Sequence, residues 1–495
     1  MTRLSPAALA QLPPAVRRPS YHRAATRIGF AHIGVGAFHR CHQAEYTEDV
    51  LEAGVDDRAE IGVNICPPSI TDQLDAQDGL FTRMLVEGDR ADFRVIGAIR
   101  RVIDASPGRR DAVAALADPN IDVITATVTE KGYCHVPATG FLDAAQPAVL
   151  DDLARRDGRS TLPGLLAKVF RVRMASRAPV TLLSCDNIPA NGRILRSVVL
   201  GFAEGLDKDL ARWIEDNVRF PSTMVDRIVP ATRPEDFFRV QAELGLDDRG
   251  AVVGEPFRQW VIEDDFNVPR PRWDFAGAAF VRDVEPYEQV KMRVLNACQT
   301  ALSCLGALKG LVTTYDDIRD PTLAGFVQRM ILAETAAVLP NLRGMEVEPY
   351  LAQTIRRLGN SAIRHTNHQI ATDTSQKINQ RILQPIRDRG AKGLASPLLE
   401  TAVAAWLGYL ARSQSALGAT WEANDPVLPA TVAAARASGG DVRVFARAML
   451  GERGVFGALV DDAGFAGRVA GRCHALLADG VDAALGRLGT SGGPE

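Results

Sequence analysis

Arg27-Ile28-Gly29-Phe30-Ala31-His32-Ile33-Gly34-Val35-Gly36-Ala37-Phe38-His39-Arg40 is the stretch whose reading decides the fold. It begins as a short apolar run of the kind that makes a buried strand, and it ends in two glycines. A helical pattern follows from about Cys41 to Leu51. Strand, glycine turn and helix open a dinucleotide-binding βαβ unit, in which backbone amides and the helix N-terminus hold a pyrophosphate. The three-glycine fingerprint of such units would put glycine at 39, where His39 stands. Taken alone, two glycines fit an unrelated tight turn equally well.

Working outward, Glu60-Ile61-Gly62-Val63-Asn64-Ile65 lies where a second strand should end in an acid for the ribose hydroxyl. No acid stands there: Asn64 is followed by Cys66, Pro67, Pro68 and Ser69, which leaves the choice between NAD and NADP open. Further strands are expected at Asp122 to Val128 and Pro179 to Ser184, between helical segments at about 111–117, 164–175 and 192–205. This alternation predicts a doubly wound parallel sheet covered on both faces. Both later strands run into polar residues, Thr127, Thr129, Glu130 and Lys131 in one case and Ser184, Cys185, Asp186 and Asn187 in the other. Ligands of open α/β sheets bind outside the carboxyl ends of the strands, so Glu130 and Asn187 are candidates. Such residues also favour ordinary turns and caps.

Beyond about residue 285 the pattern is helical to the end, including Val442 to Leu450 and Gly467 to Leu488, with Gly489 to Glu495 expected to fray. The fold class expected is therefore α/β, a Rossmann-type doubly wound domain over 1–284 followed by a mainly α-helical C-terminal domain over 285–495. The second domain opens with Tyr287-Glu288-Gln289-Val290-Lys291-Met292-Arg293-Val294-Leu295-Asn296-Ala297-Cys298-Gln299. At about 100° per residue, with Lys291 at 0°, Glu288 falls near ~60°, Gln299 near ~80° and Asn296 near ~140°. One face carries an acid, a base and two amides, on a helix whose continuation through Leu308 is almost uncharged. Burying that face without partners costs several kcal/mol, so it is either a site or a solvated surface.

A chain of 495 residues is too long for one ordinary core. A hydrophobic share of 46% and a charged share of 24% describe a soluble globular protein. The net charge of -3 offers no attraction to nucleic acid or an anionic membrane, leaving a small molecule as the expected partner. The 7 cysteines contain no C-x-x-C pair, and the 8 histidines show no metal-ligand spacing, so no metal is expected. The proline- and arginine-containing lead lacks the apolar core of a signal peptide, and no run is long enough to span a bilayer. A cytoplasmic location is the expectation.

Several segments together resemble the polyol-specific long-chain dehydrogenase/reductase family, which includes mannitol 2-dehydrogenase and fructuronate reductase (mannonate oxidoreductase) types. They are Gly34 to Arg40, Thr129-Glu130-Lys131-Gly132-Tyr133, Ser184-Cys185-Asp186-Asn187, Val225-Asp226-Arg227-Ile228, Glu255 to Trp260, Tyr287-Glu288 and Lys291 to Asn296, in family order across nearly the whole chain. The resemblance accounts for His39, since the family uses G-x-G-x-F-H-R at the turn. It implies NAD, with NADP not excluded, held by Gly34, Gly36, Phe38, His39, Arg40, Asn64 and Glu130. It implies Lys291 as general acid/base, Asn187 and Asn296 as donors to the substrate oxygen, Glu288 as a proton relay, and a substrate held between two domains, with Asp226 on the substrate side.

The chemistry is consistent with those roles. Oxidation of a secondary alcohol removes a proton from oxygen as hydride leaves carbon, and a desolvated lysine can serve as the base. Two amide donors on the developing alkoxide are worth about 3 kcal/mol each. The family usually places histidine three residues after the asparagine, whereas this chain has Gln299, which hydrogen-bonds but does not shuttle a proton. A further segment, Asn360 to His365 and Gln369 to Ile378, resembles the family's substrate side. There Lys377, His365 and Gln369 are candidate substrate residues, and His365 with Gln369 looks more like the hexuronate reductases than the mannitol type. The expected function is NAD(P)-dependent interconversion of a mannitol- or arabinitol-like sugar alcohol with its ketose, as a monomer or homodimer. The alternatives are a hexuronate reductase, acting on a sugar acid, and a non-catalytic dinucleotide-binding sensor.

Overall fold

The computed structural model describes residues 2–65, 70–105, 110–137, 139–155 and 160–488; the segment 66–69 and the tail from Gly489, expected to fray, lie outside them. The described chain separates into two compact units, Met1–Glu285 and Pro286–Glu495.

Among the described residues of the first unit lie twelve strands: β1 Arg27–Ile33, β2 Arg58–Asn64, β3 Phe81–Glu87, β4 Arg90–Ile96, β5 Ile99–Asp104, β6 Val123–Ala126, β7 Val180–Ser184, β8 Val218–Arg219, β9 Thr223–Asp226, β10 Val252–Gly254, β11 Gln259–Glu263 and β12 Ala279–Val281. Six form a fully parallel sheet in the order β5-β2-β1-β6-β7-β8. Counted along this sheet the order is 3-2-1-4-5-6, the doubly wound arrangement with its switch point between β1 and β6. Strands β1, β6 and β7 are largely apolar and buried, packed on one side against the helices Leu162–Ser176 and Asn191–Leu206 and on the other against Tyr46, Val50, Trp260 and Trp273.

Two smaller sheets, β10-β3-β4 and β12-β11-β9, were not legible as separate layers in the sequence. The helix expected over 41–51 is two pieces, α1 Ala37–Cys41 and α2 Gln43–Glu52. The break falls at buried His42, whose Nε2 bonds Gln259 O at 3.0 Å and ties the chain to β11. Glu45 on α2 is buried against Arg83, Arg227 and Arg258. Burial alone would raise its carboxyl, and the three guanidiniums instead hold it down to about 2.

The second unit has helices in all its regular elements among the described residues. Its centre is the helix Pro397–Ala411, buried from Leu398 to Ala411 and packed between the helices Ala297–Leu308 and Ala463–Ala478. A helix apolar all round belongs in a core. Its first turn is capped by the Glu334 carboxylate, which accepts from the N–H groups of Leu398 and Leu399 at 2.8 Å each. Among the described residues no helix is long and apolar enough to cross a membrane, and no group of three His, Cys, Asp or Glu could hold a metal.

Candidate active site

The turn after β1 is built around Gly34, whose φ of +94 few side chains tolerate. A Cβ there would drive into the backbone oxygen of Thr127. Gly34 O accepts the Thr127 hydroxyl at 2.9 Å, so the turn is stitched to the end of β6. Gly36 differs: it is exposed, its backbone is extended, and the nearest atom to an added Cβ would be Gly34 O at 3.9 Å. The open space before Gly36, with the first-turn N–H groups of α1 behind it, fits the close approach of a dinucleotide phosphate.

His39 and Arg40, expected at the cofactor, turn inward instead. His39 stacks on His32 with ring centroids 3.5 Å apart and bonds the Glu60 carboxylate at 2.9 Å. His32 in turn bonds Thr125 at 2.7 Å and Thr127 at 2.8 Å. Two flat imidazoles fill the space that a third glycine leaves for close helix–strand packing. Burial pushes both histidines well below their usual range, so the pair is neutral. Arg40 Nη1 donates to Val35 O at 2.8 Å and braces the turn from beneath. Phe38 is half-buried against His42, with ring centroids 5.0 Å apart. Asn64 ends β2 nearly buried, paired across the ladder with Asp104 at the end of β5.

At the ends of β6 and β7 a clamp sets the candidate residues Glu130 and Asn187. The Asp186 carboxylate accepts from Val128 N at 2.8 Å, Thr129 N at 3.0 Å and the Tyr133 hydroxyl at 2.6 Å. These bonds hold Thr129 at a φ of +63, costly for a β-branched residue, and start the short turn Thr129–Gly132 that carries exposed Glu130. Behind Asp186, Asn191 donates to Asp186 O at 2.9 Å and Thr223 O at 2.8 Å, which locks the loop to β9. Asn187 is left exposed on this fixed loop. Asp226 ends β9 buried, opposite Gln259.

In the second unit the expected regular helix is interrupted. Glu285–Lys291 is α-helical, Met292–Asn296 is a π turn, and Ala297–Leu308 resumes the α-helix. Ala297 N–H bonds Met292 O, five residues back. A turn closed by i→i+5 bonds sets residue 296 over residue 291 as i+4 does in an α-helix. Asn296 therefore stands in line with Lys291 and not at ~140° from it, as regular α-geometry would have it. Thr300, four residues on, extends the row. Lys291 is 5% exposed, Asn296 4% and Glu288 9%, whereas Gln299 is half-buried. Single-turn π insertions recur at functional sites because they re-aim side chains in this way.

The remaining substrate candidates lie on neighbouring elements. Gln369 is exposed, and its side chain accepts from Thr366 N at 3.2 Å in the capping box of the helix Asn367–Ala371. His365 is half-buried, and burial pushes it down, toward the neutral form. Lys377 Nζ donates to Thr372 O at 2.6 Å. A residue that sequence reasoning missed, Arg381, lies in a second π turn, Asn379–Leu383, packed on the first. Its Nη1 donates to Thr300 Oγ1 at 2.9 Å. The sequence signal for it was its spacing, four residues after Lys377.

The chain is similar to known proteins over nearly its whole length. Residues 28–275 match the mannitol dehydrogenase Rossmann domain, and 283–477 match the mannitol dehydrogenase C-terminal domain. The chain is 37% identical over 399 residues to D-mannonate oxidoreductase of Escherichia coli, covering 80% of this chain and 82% of that one. It is 34% identical over 479 residues to mannitol 2-dehydrogenase of Cereibacter sphaeroides, covering 96% and 98%. Mannitol 2-dehydrogenase of Pseudomonas fluorescens, solved in a ternary complex with NAD and D-mannitol, superposes with a TM-score of 0.87 at 32% identity, covering 99% of this chain and 100% of that one.

Proposed function

The chain belongs to the mannitol dehydrogenase family of oxidoreductases, and from that premise we propose an NAD-dependent interconversion of a polyhydroxy secondary alcohol, a sugar alcohol or sugar acid, with its keto form. The observation that carries the reading is the row in which a π turn sets Asn296 over the buried Lys291.

The glycine turn Gly34 to Gly36 would hold NAD, whose nicotinamide ring would accept the hydride when the cofactor is bound. Lys291 takes the hydroxyl proton from the alcohol, or returns it to the ketone, as the general base and acid of the exchange. Asn296 donates its amide N–H to the same oxygen and stabilises the charge that develops there. Asn187, presented on the first unit by the Asp186 clamp, is a further amide donor of the kind this chemistry uses. Glu288, three residues before Lys291, relays the proton onward. Gln299 orients a substrate hydroxyl by hydrogen bonding and leaves the proton transfer to Lys291.

The test is turnover by the purified protein, followed by nicotinamide absorbance with NAD(H) and NADP(H). The alcohols are mannitol, arabinitol and mannonate; the ketones are fructose, fructuronate and tagaturonate. NAD-dependent turnover of at least one pair is expected. Lys291→Ala lowers it by about 10³-fold while NADH binding persists. NADH binding by the wild type with no turnover of any of these would replace the enzyme with a dinucleotide sensor.

A further inference from the structure

Many of the partly or wholly buried arginines in this protein have their charge or their donors satisfied. Arg83, Arg94 and Arg227 face Glu45, and Arg293 pairs with Asp388 at 2.9 Å. Arg173 and Arg389 spend their donors on backbone carbonyls. Arg381 differs from all of these. It is partly buried, its hydrogen bond goes to the neutral Thr300 hydroxyl, and among the described residues no carboxylate pairs with it. Burial lowers its guanidinium to about 10, which leaves it charged at neutral pH. A desolvated cation with one neutral partner is costly to fold around, and its remaining donors match the planar fork of a carboxylate.

The position of this cation is set by the catalytic helix. Thr300 continues the row Lys291, Asn296, so the guanidinium anchored on it lies about one α-helical turn, ~5.4 Å, beyond Asn296. That is the span of a few carbon–carbon bonds, the separation between a reacting carbon and a carboxylate at the end of a short polyhydroxy chain. Two of the substrate candidates, His365 and Lys377, are less suited to such a group. His365 is driven toward its neutral form, and Lys377 Nζ is engaged with Thr372 O.

We propose that Arg381, seated on Thr300, is the subsite for the carboxylate of a sugar-acid substrate. The inference rests on the alcohol–ketone reading of the Lys291 site and narrows its substrate to an aldonate and the corresponding keto-acid. Arg381 binds the end of the substrate remote from the reacting carbon and takes no part in proton transfer.

The experiment separates binding from turnover. With Lys291→Ala as background and NAD present, calorimetry measures the dissociation constants of a six-carbon aldonate and of the hexitol of equal length. The aldonate is expected to bind more tightly than the hexitol. Adding Arg381→Gln raises the aldonate constant at least 10-fold more than the hexitol constant, and Arg381→Lys, which keeps the charge without the fork, falls between. Thermal melts of each variant check that it folds. Equal losses for both ligands, or no preference for the aldonate in the Lys291→Ala background, would overturn the subsite. Wild-type turnover is read separately. Aldonate binding that depends on Arg381, in a protein that oxidises neither ligand, would sink the enzymatic reading and leave the subsite standing.

Discussion

Two glycines two residues apart make opposite predictions. At Gly34, alanine would have to adopt a φ of +94 and press its Cβ into Thr127 O, with Thr127 C only 2.9 Å away. The conformation alone costs about 1–2 kcal/mol. Relief requires Thr127 to recede, which breaks its bonds to Gly34 O at 2.9 Å and His32 Nε2 at 2.8 Å, for about 1 kcal/mol each. The sum is roughly 3–4 kcal/mol, which lowers the first melting transition by on the order of 10 °C. At Gly36 the backbone is extended and an added Cβ meets nothing closer than 3.9 Å, so Gly36→Ala leaves the melting temperature within about 1 °C. Its methyl instead occupies the space in which a pyrophosphate approaches the turn, and NADH affinity falls by about 10-fold or more. Differential scanning fluorimetry and NADH fluorescence titration measure the two effects. The reasoning is refuted if Gly36→Ala binds NADH like the wild type, or if Gly34→Ala melts like it.

Other expectations follow from buried groups. Burial pushes the Glu48 carboxyl up to about 7, against an ordinary value of 4.5, although Gly97 N and Tyr21 OH bond it. Between those values the native state keeps a proton that the unfolded chain releases, so this group makes stability fall as pH rises from about 4.5 to about 7. Glu48→Gln should remove that fall and gain on the order of 2 kcal/mol at pH 8 and little at pH 4.5, as read by urea melts; a gain equal at both pH values would contradict it. Asp186→Ala removes the partner of two backbone N–H groups and one of the two partners of the Tyr133 hydroxyl, costing about 2 kcal/mol. It should lower kcat by freeing Asn187, and unchanged kcat in a folded variant would show that the clamp does not position it. Gln299→His should raise turnover of sugar alcohols if glutamine is a drifted residue, and lower turnover of the native substrate if glutamine is tuned to it; kcat/KM for a hexitol and an aldonate separates the two.

The sequence by itself determined what depends on local pattern. An apolar run closed by Gly34 and Gly36 dictated β1 and its turn, and the runs at 123–126 and 180–184 formed buried parallel strands as their composition required. The uncharged stretch after Gln299 became a buried helix, and the family motifs carried the fold and the oxidoreductase class. Periodicity reports which backbone a segment prefers and which face it hides. It does not report which distant side chain fills the space opposite. His39 reads in the motif as a cofactor residue, and only the closure of α1 onto β1 and β2 turns it onto His32 and Glu60. The two small sheets depend on pairings such as Val252 with Arg83, far apart in the chain. A wheel drawn at regular pitch separated Asn296 from Lys291, and the π turn that aligns them packs against another π turn nearly ninety residues later. Arg381 had no meaning until the fold placed it on Thr300, because a charge without a partner can be recognised only when every neighbour is known.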